Sequence, residues 1–110
     1  MEINIRKIQK ADNQKLAVII RSCFHDFKVA TQGTVYEDPT TDQLYELFHA
    51  ENSALFVADA AGEICGCCGI FPTNGSPEHY AELVKFYIHR DFRGKGVGKR
   101  LMEESVQFAK

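Results

Sequence analysis

The spacing of apolar positions changes repeatedly along this chain, and each change marks an element. In "INIRKI", Ile3 and Ile5 alternate with polar residues and Ile8 falls out of phase, which predicts a first strand. Further on, Leu16, Ile19, Ile20, Cys23, Phe24 and Phe27 recur at spacings of three and one. Those spacings put all six on one side of a helix, so this segment is amphipathic and packs on a core. Asp12 stands just before it and is a candidate N-cap, because its carboxylate can accept a bond from a first-turn amide. "KVATQGTVYEDP" carries Gly33 and Pro39 and reads as a loop. "TTDQLYELFHA" opens with Thr40 and Gln43 at capping-box spacing and predicts a short second helix.

The second half reads as strands followed by a helix. "SALFVAD" and "ICGCCGIFP" flank the turn "AAGE" around Gly62 and form a hairpin. "TNGSPEH" has strong turn chemistry, and "AELVKFYIH" is a fourth strand. The glycine-rich "RDFRGKG" leads into "VGKRLMEESVQFAK", a helix on which Val97, Leu101 and Phe108 share a face. The order β-α-α-β-β-β-α predicts an α/β fold, with a mixed, largely antiparallel sheet flanked by helices. No repeat, low-complexity tract or linker divides residues 1–110, which read as one domain.

Composition narrows the function. A length of 110 residues allows a single core, and 45% hydrophobic with 25% charged residues is ordinary for a globular protein. The net charge of −2 lacks the basic excess of a nucleic-acid binder. No apolar stretch reaches the length of a membrane span, and "MEINIRKIQK" has no apolar signal core. A cytoplasmic protein is the expectation, with the four cysteines as thiols.

The loop "RGKGVGK" carries the most chemistry. It joins a strand to a helix start, where unpaired N–H groups and the positive end of the dipole favour an anion. Gly94, Gly96 and Gly98 let backbone approach a ligand closely, and Lys95, Lys99 and Arg100 add positive charge. The residues alone fit a phosphate cradle or a flexible basic turn. A P-loop needs glycine at position 93 and Ser or Thr at 100, and both are arginine. The dinucleotide fingerprint needs glycine at 99, which is lysine.

A third pattern fits. Arg93-Gly94-Lys95-Gly96-Val97-Gly98 matches (Arg/Gln)-x-x-Gly-x-(Gly/Ala), and "AELVKFYIHRDFRGKGVGKRLM" resembles the fourth strand, acyl-CoA loop and following helix of the GNAT superfamily of N-acetyltransferases. The likeness is specific in sequence over residues 81–102 and extends to the whole chain in element order. It implies an acyltransferase that moves acetyl from acetyl-CoA directly to a primary amine of a small molecule or peptide. By that resemblance, the backbone of Arg93, Gly94, Lys95, Gly96, Val97, Gly98 and Lys99 cradles the pyrophosphate. Phe86, Tyr87 and Ile88 hydrogen-bond the pantetheine arm, and a backbone N–H there polarises the thioester carbonyl. Glu82, at the head of the strand, is the candidate general base. The alternatives are a non-catalytic acyl-CoA-binding module and a domain with an empty basic loop.

One departure stands out. Many family members protonate the departing thiolate with a tyrosine late in the chain. Tyr36, Tyr80 and Tyr87 do not match that motif, and the later strand and helix have no counterpart before Lys110. Either a truncation or a homo-oligomer that completes the uncovered sheet edge is expected.

Other clusters are weaker. Cys65, Cys67 and Cys68 in "CGCC" lack the paired spacing of a zinc site, and neighbouring strand residues point to opposite faces, so no metal is expected. A thiol nucleophile needs a histidine partner, and His25, His49, His79 and His89 are scattered. "YEDPTTD" is locally acidic and would favour a cationic acceptor if it lined the acceptor pocket.

Overall fold

Four strands pair side by side in chain order, every pair antiparallel. They are β1 (Asn4–Lys7), β2 (Ala54–Ala60), β3 (Glu63–Pro72) and β4 (Ala81–Ile88); the helices are α1 (Asn13–Asp26), α2 (Leu44–Leu47) and α3 (Val97–Ala109). The computed structural model describes residues 2–26, 38–49, 53–72 and 81–109. The order is the one the sequence predicts, with 3-10 turns added at Lys10–Asp12, Pro39–Asp42 and Arg90–Phe92.

Helices cover both faces of the sheet, so its central strands are apolar throughout. On β2, Leu55 and Val57 face α1 and α2, where they meet Leu16, Ile20, Leu44 and Cys67. Phe56 and Ala58 face α3, where they meet Cys65, Cys68, Val97 and Leu101. The β2–β3 turn has positive φ at Ala61 (53°) and Gly62 (93°), the primed-turn geometry that matches strand twist. Asp59 accepts the Gly62 N–H at 2.6 Å and closes it.

Two local expectations change. Asp12 does not cap α1: its carboxylate accepts the Gln9 N–H at 2.7 Å and a two-pronged pair from Arg6 at 2.8 and 3.0 Å. Asp38, rather than Thr40, caps the turn before α2, accepting the Thr40 N–H at 2.9 Å, with Pro39 in its first position. On α3 the buried stripe runs Val97, Leu101, Ser105, and Phe108 lies at its margin against Phe56, ring centroids 5.9 Å apart. Phe27, predicted on the face of α1, lies outside the described residues.

Candidate functional site

The outer edge of β4 is shaped by a bulge. Cys67 pairs with Tyr87 and Gly69 with Val84, so Lys85 and Phe86 stand opposite the single residue Cys68. Lys85 absorbs the extra length with φ at 53°, a left-handed conformation unusual for lysine. Its carbonyl accepts the Cys67 thiol at 3.1 Å. Burial pushes that thiol up to about 12, so it stays protonated as a donor. In a trans peptide the next N–H opposes the carbonyl, so the Phe86 N–H points away from Cys67.

Strand alternation gives the same answer. His89 donates its N–H to the Cys65 carbonyl at 2.8 Å, so the main chain of residues 87 and 89 faces β3. That of Phe86 and Ile88 faces the outer edge, where no strand lies among the described residues. Of the three residues expected on the pantetheine, Phe86 and Ile88 offer edge groups, while Tyr87 pairs inward. The bulge also returns Val84 and Tyr87 to the α1 side although they are three residues apart.

The loop continues from this edge. Gly94 and Gly96 adopt φ of 78° and 80°, and a Cβ at either would meet nothing within 4 Å. They serve the backbone path and leave open space beside it. Gly98 differs: a Cβ there would lie 3.1 Å from the Phe86 ring, so it lets α3 pack on β4. Arg100 donates the first helical bond, to the Gly96 carbonyl at 3.2 Å. The amides of Val97, Gly98 and Lys99 therefore have no partner within the helix and point out of its positive end, where an anion is favoured. Lys95 and Lys99 are exposed beside them. Arg100 is committed elsewhere, donating to the Ile3 carbonyl at 2.6 Å. Arg93 also turns away from the loop mouth: Nε donates to the Ile88 carbonyl at 2.9 Å and Nη2 to Asp26 at 3.1 Å.

Glu82 pairs with Phe71 and is exposed. Alternation with Val84 puts it on the α1 side, and Leu83 on the other.

A strand edge with no neighbouring strand among the described residues, a bulge that turns one amide outward and a glycine loop feeding a helix start lie in one continuous run. A family model described as the acetyltransferase (GNAT) family matches residues 16–110. The chain belongs to the GNAT acetyltransferase family. It is 32% identical over 107 residues to the uncharacterized N-acetyltransferase YjgM of Escherichia coli K12, covering 96% of this chain and 64% of that protein. Its fold resembles a GNAT acetyltransferase from Staphylococcus aureus Mu50, with TM-score 0.83 at 16% identity over 98% of this chain and 66% of the other. It also resembles YncA, an acetyltransferase of Salmonella typhimurium solved with its cofactor acetyl-CoA, with TM-score 0.77 at 20% identity, covering 99% and 64%. The chain spans about two thirds of the length of these relatives.

The remaining clusters of this GNAT chain resolve into structural roles. Cys65 and Cys68 face α3 and Cys67 faces α1, so the three do not converge. Among the described residues no group of three or more His, Cys, Asp or Glu could hold a metal, and no helix is long and apolar enough to cross a membrane. His89 accepts the Asp91 N–H at 3.1 Å and caps the turn into the loop. His25 and His49 are exposed. Asp42 pairs with Arg21 at 2.7 Å, and Asp38 with Thr40, so both acids are engaged within the chain. Tyr36, Glu37, His79 and Tyr80 lie outside the described residues.

Two features were not read from the sequence. Lysine gives no signal for a left-handed φ, and Asp26 reads as one more polar position of α1. A sequence-level hint of the second was the pair Arg90 and Arg93, spaced to present cations on both sides of one turn.

Proposed function

We propose that this chain is the acetyl-CoA-binding part of an N-acetyltransferase that transfers acetyl directly to a primary amine of a small molecule or peptide. The observation that carries the reading is the outward Phe86 amide, one loop away from the open backbone at Gly94 and Gly96. The residues suit the cofactor named for YncA. The amides of Val97, Gly98 and Lys99, with the backbone from Arg93 to Gly96, would hold its pyrophosphate. The outward N–H and C=O of Phe86 and the N–H of Ile88 would hold the pantetheine as an added strand holds its neighbour, the Ile88 carbonyl being already bonded to Arg93.

Bound acetyl-CoA supplies a thioester activated toward amines. The Phe86 N–H serves as the fixed donor where negative charge builds on the carbonyl oxygen. The attacking amine would form its bond to the carbonyl carbon, the carbon–sulfur bonding pair would leave on the CoA sulfur as a thiolate that takes a proton from water, and Glu82 would take the proton the amine sheds. Glu82 lies four residues before Phe86 on β4, on the far side of the bulge at Lys85. The family supports an amine acceptor; Glu82 as base is this proposal's own assignment.

Calorimetric titration with acetyl-CoA tests the reading. Saturable binding that Gly96→Glu abolishes is expected, followed by amine-dependent release of free thiol. A well-folded chain that does not bind overturns it. Binding with no transfer to any amine in a broad screen assigns the chain to the non-catalytic acyl-CoA-binding class instead.

A further inference from the structure

Asp26 is the last residue of α1, and its carboxylate meets both arginines that flank the turn into the glycine loop. One oxygen is 3.1 Å from Arg93 Nη2 and the other 3.7 Å from Arg90 Nη1. The Asp26 side chain is only 16% exposed and Arg93 31%, against 61% for Arg90, so the Arg93 contact is the better shielded of the two. Arg93 Nη2 is also 3.3 Å from Cys23 Sγ, one turn earlier on α1. Its Nε holds the Ile88 carbonyl at 2.9 Å, which is the last outward-facing acceptor of β4.

The guanidinium thus closes a three-way junction between the end of α1, the end of the β4 edge and the first residue of the loop. We propose that Asp26 is a positioning residue for acetyl-CoA: it clamps Arg93 onto the Ile88 carbonyl and so fixes where the strand edge stops and the loop amides begin. The inference rests on the cofactor reading above. A planar fork bonded on two sides holds one orientation, which a lysine ammonium could not reproduce. Without the Asp26 carboxylate the guanidinium loses a charged partner, its hold on the Ile88 carbonyl slackens, and the spacing between Phe86 and the amides at Val97 and Gly98 is less firmly set. The effect falls on cofactor affinity rather than on chemistry, because Asp26 touches neither reacting group.

The test compares Asp26→Asn, Asp26→Glu, Arg93→Gln and the double variant Asp26→Asn/Arg93→Gln by calorimetry with acetyl-CoA, with amide chemical shifts recorded in the free chain. Asp26→Asn is expected to weaken acetyl-CoA about tenfold with kcat at saturation unchanged, and Asp26→Glu to recover most of that loss. The double variant is expected to bind no more weakly than Arg93→Gln alone, since residues acting through one contact are not additive. In the free chain, Asp26→Asn should move the Gly94, Gly96 and Val97 amide signals. A lower melting temperature with unchanged affinity and unmoved loop signals overturns the inference, as do additive losses. If the unaltered chain binds no acetyl-CoA, the cofactor reading falls. The loop signals then still decide whether Asp26 sets the loop.

Discussion

Cys67 and Lys85 sit on neighbouring strands, and the thiol of one donates to the carbonyl of the other across 3.1 Å while Lys85 holds φ at 53°. The left-handed backbone costs about 1 kcal/mol for a residue with a Cβ. Lys85→Gly should therefore raise the melting temperature by a few degrees, and Lys85→Val, branched at Cβ, should lower it. Replacing the donor tests the other half of the relationship. Cys67→Ala removes the donor without adding bulk and leaves the carbonyl unpaired, and should reduce kcat more than Cys67→Ser. Equal kcat in both variants would sever the link between this thiol and the outward amide.

The three glycines of the loop should separate in binding assays. Gly94→Ala and Gly96→Ala each strain a positive φ by about 1 kcal/mol without a clash, and should weaken acetyl-CoA about fivefold. Gly98→Ala places its Cβ 3.1 Å from the end of the Phe86 ring, a side chain able to shift by a few tenths of an ångström. Its affinity loss should stay under about threefold, a small fraction of the free energy of binding. Titration calorimetry on the three variants ranks them.

Glu82→Gln should lower kcat by about a hundredfold, the usual contribution of a positioned base, and leave acetyl-CoA affinity within about twofold. An unchanged kcat assigns the base to another group.

Acid should weaken the fold through Asp12. Burial works to raise its pKa, but the hydrogen bonds from Arg6 and from the Gln9 N–H outweigh it and hold the carboxyl below the ordinary range. A lowered carboxyl stabilises the fold fully at neutral pH, and the contribution fades as pH falls through and below the ordinary carboxylate range. Asp42, lowered by its bond from Arg21, adds in the same direction. Asp12→Asn should cost about 2 kcal/mol at pH 7, the worth of hydrogen bonds to a charged partner, and flatten the acid limb. Urea unfolding of both proteins across pH 3 to 7 measures this.

The thiols should be inert in the native state. Cys65, Cys67 and Cys68 are fully buried and Cys23 is 5% exposed, and burial raises the thiols of Cys65, Cys67 and Cys68. Iodoacetamide at pH 8 should leave these four unmodified until denaturant is added, after which all should react. Rapid native labelling at Cys67 would contradict its place in the core.

The fold was largely legible because burial writes itself into spacing. Leu16, Ile19, Ile20 and Cys23 follow the helical period, and all four are in the core. The loop was legible too, since a glycine at 94 and 96 is what a positive φ selects. What escaped were features decided by tertiary contact. Thr40 and Gln43 have capping spacing, yet Asp38 reaches the turn first and Pro39 starts it. Asp12 has capping chemistry, but Arg6 on β1 competes for its carboxylate at bidentate distance. The bulge at Lys85 follows from the unequal pairing of β3 and β4, which no single strand encodes.

The alternation along β4 also sets a clock. Tyr87 pairs with Cys67 inside the sheet, whereas the Phe86 amide looks outward. In heavy water the Phe86 amide should take up deuterium rapidly while Tyr87, one bond away, retains its proton until the sheet opens. A ligand lying along this edge would slow the first without touching the second. Two adjacent residues thus carry separate records, one of occupancy and one of folding.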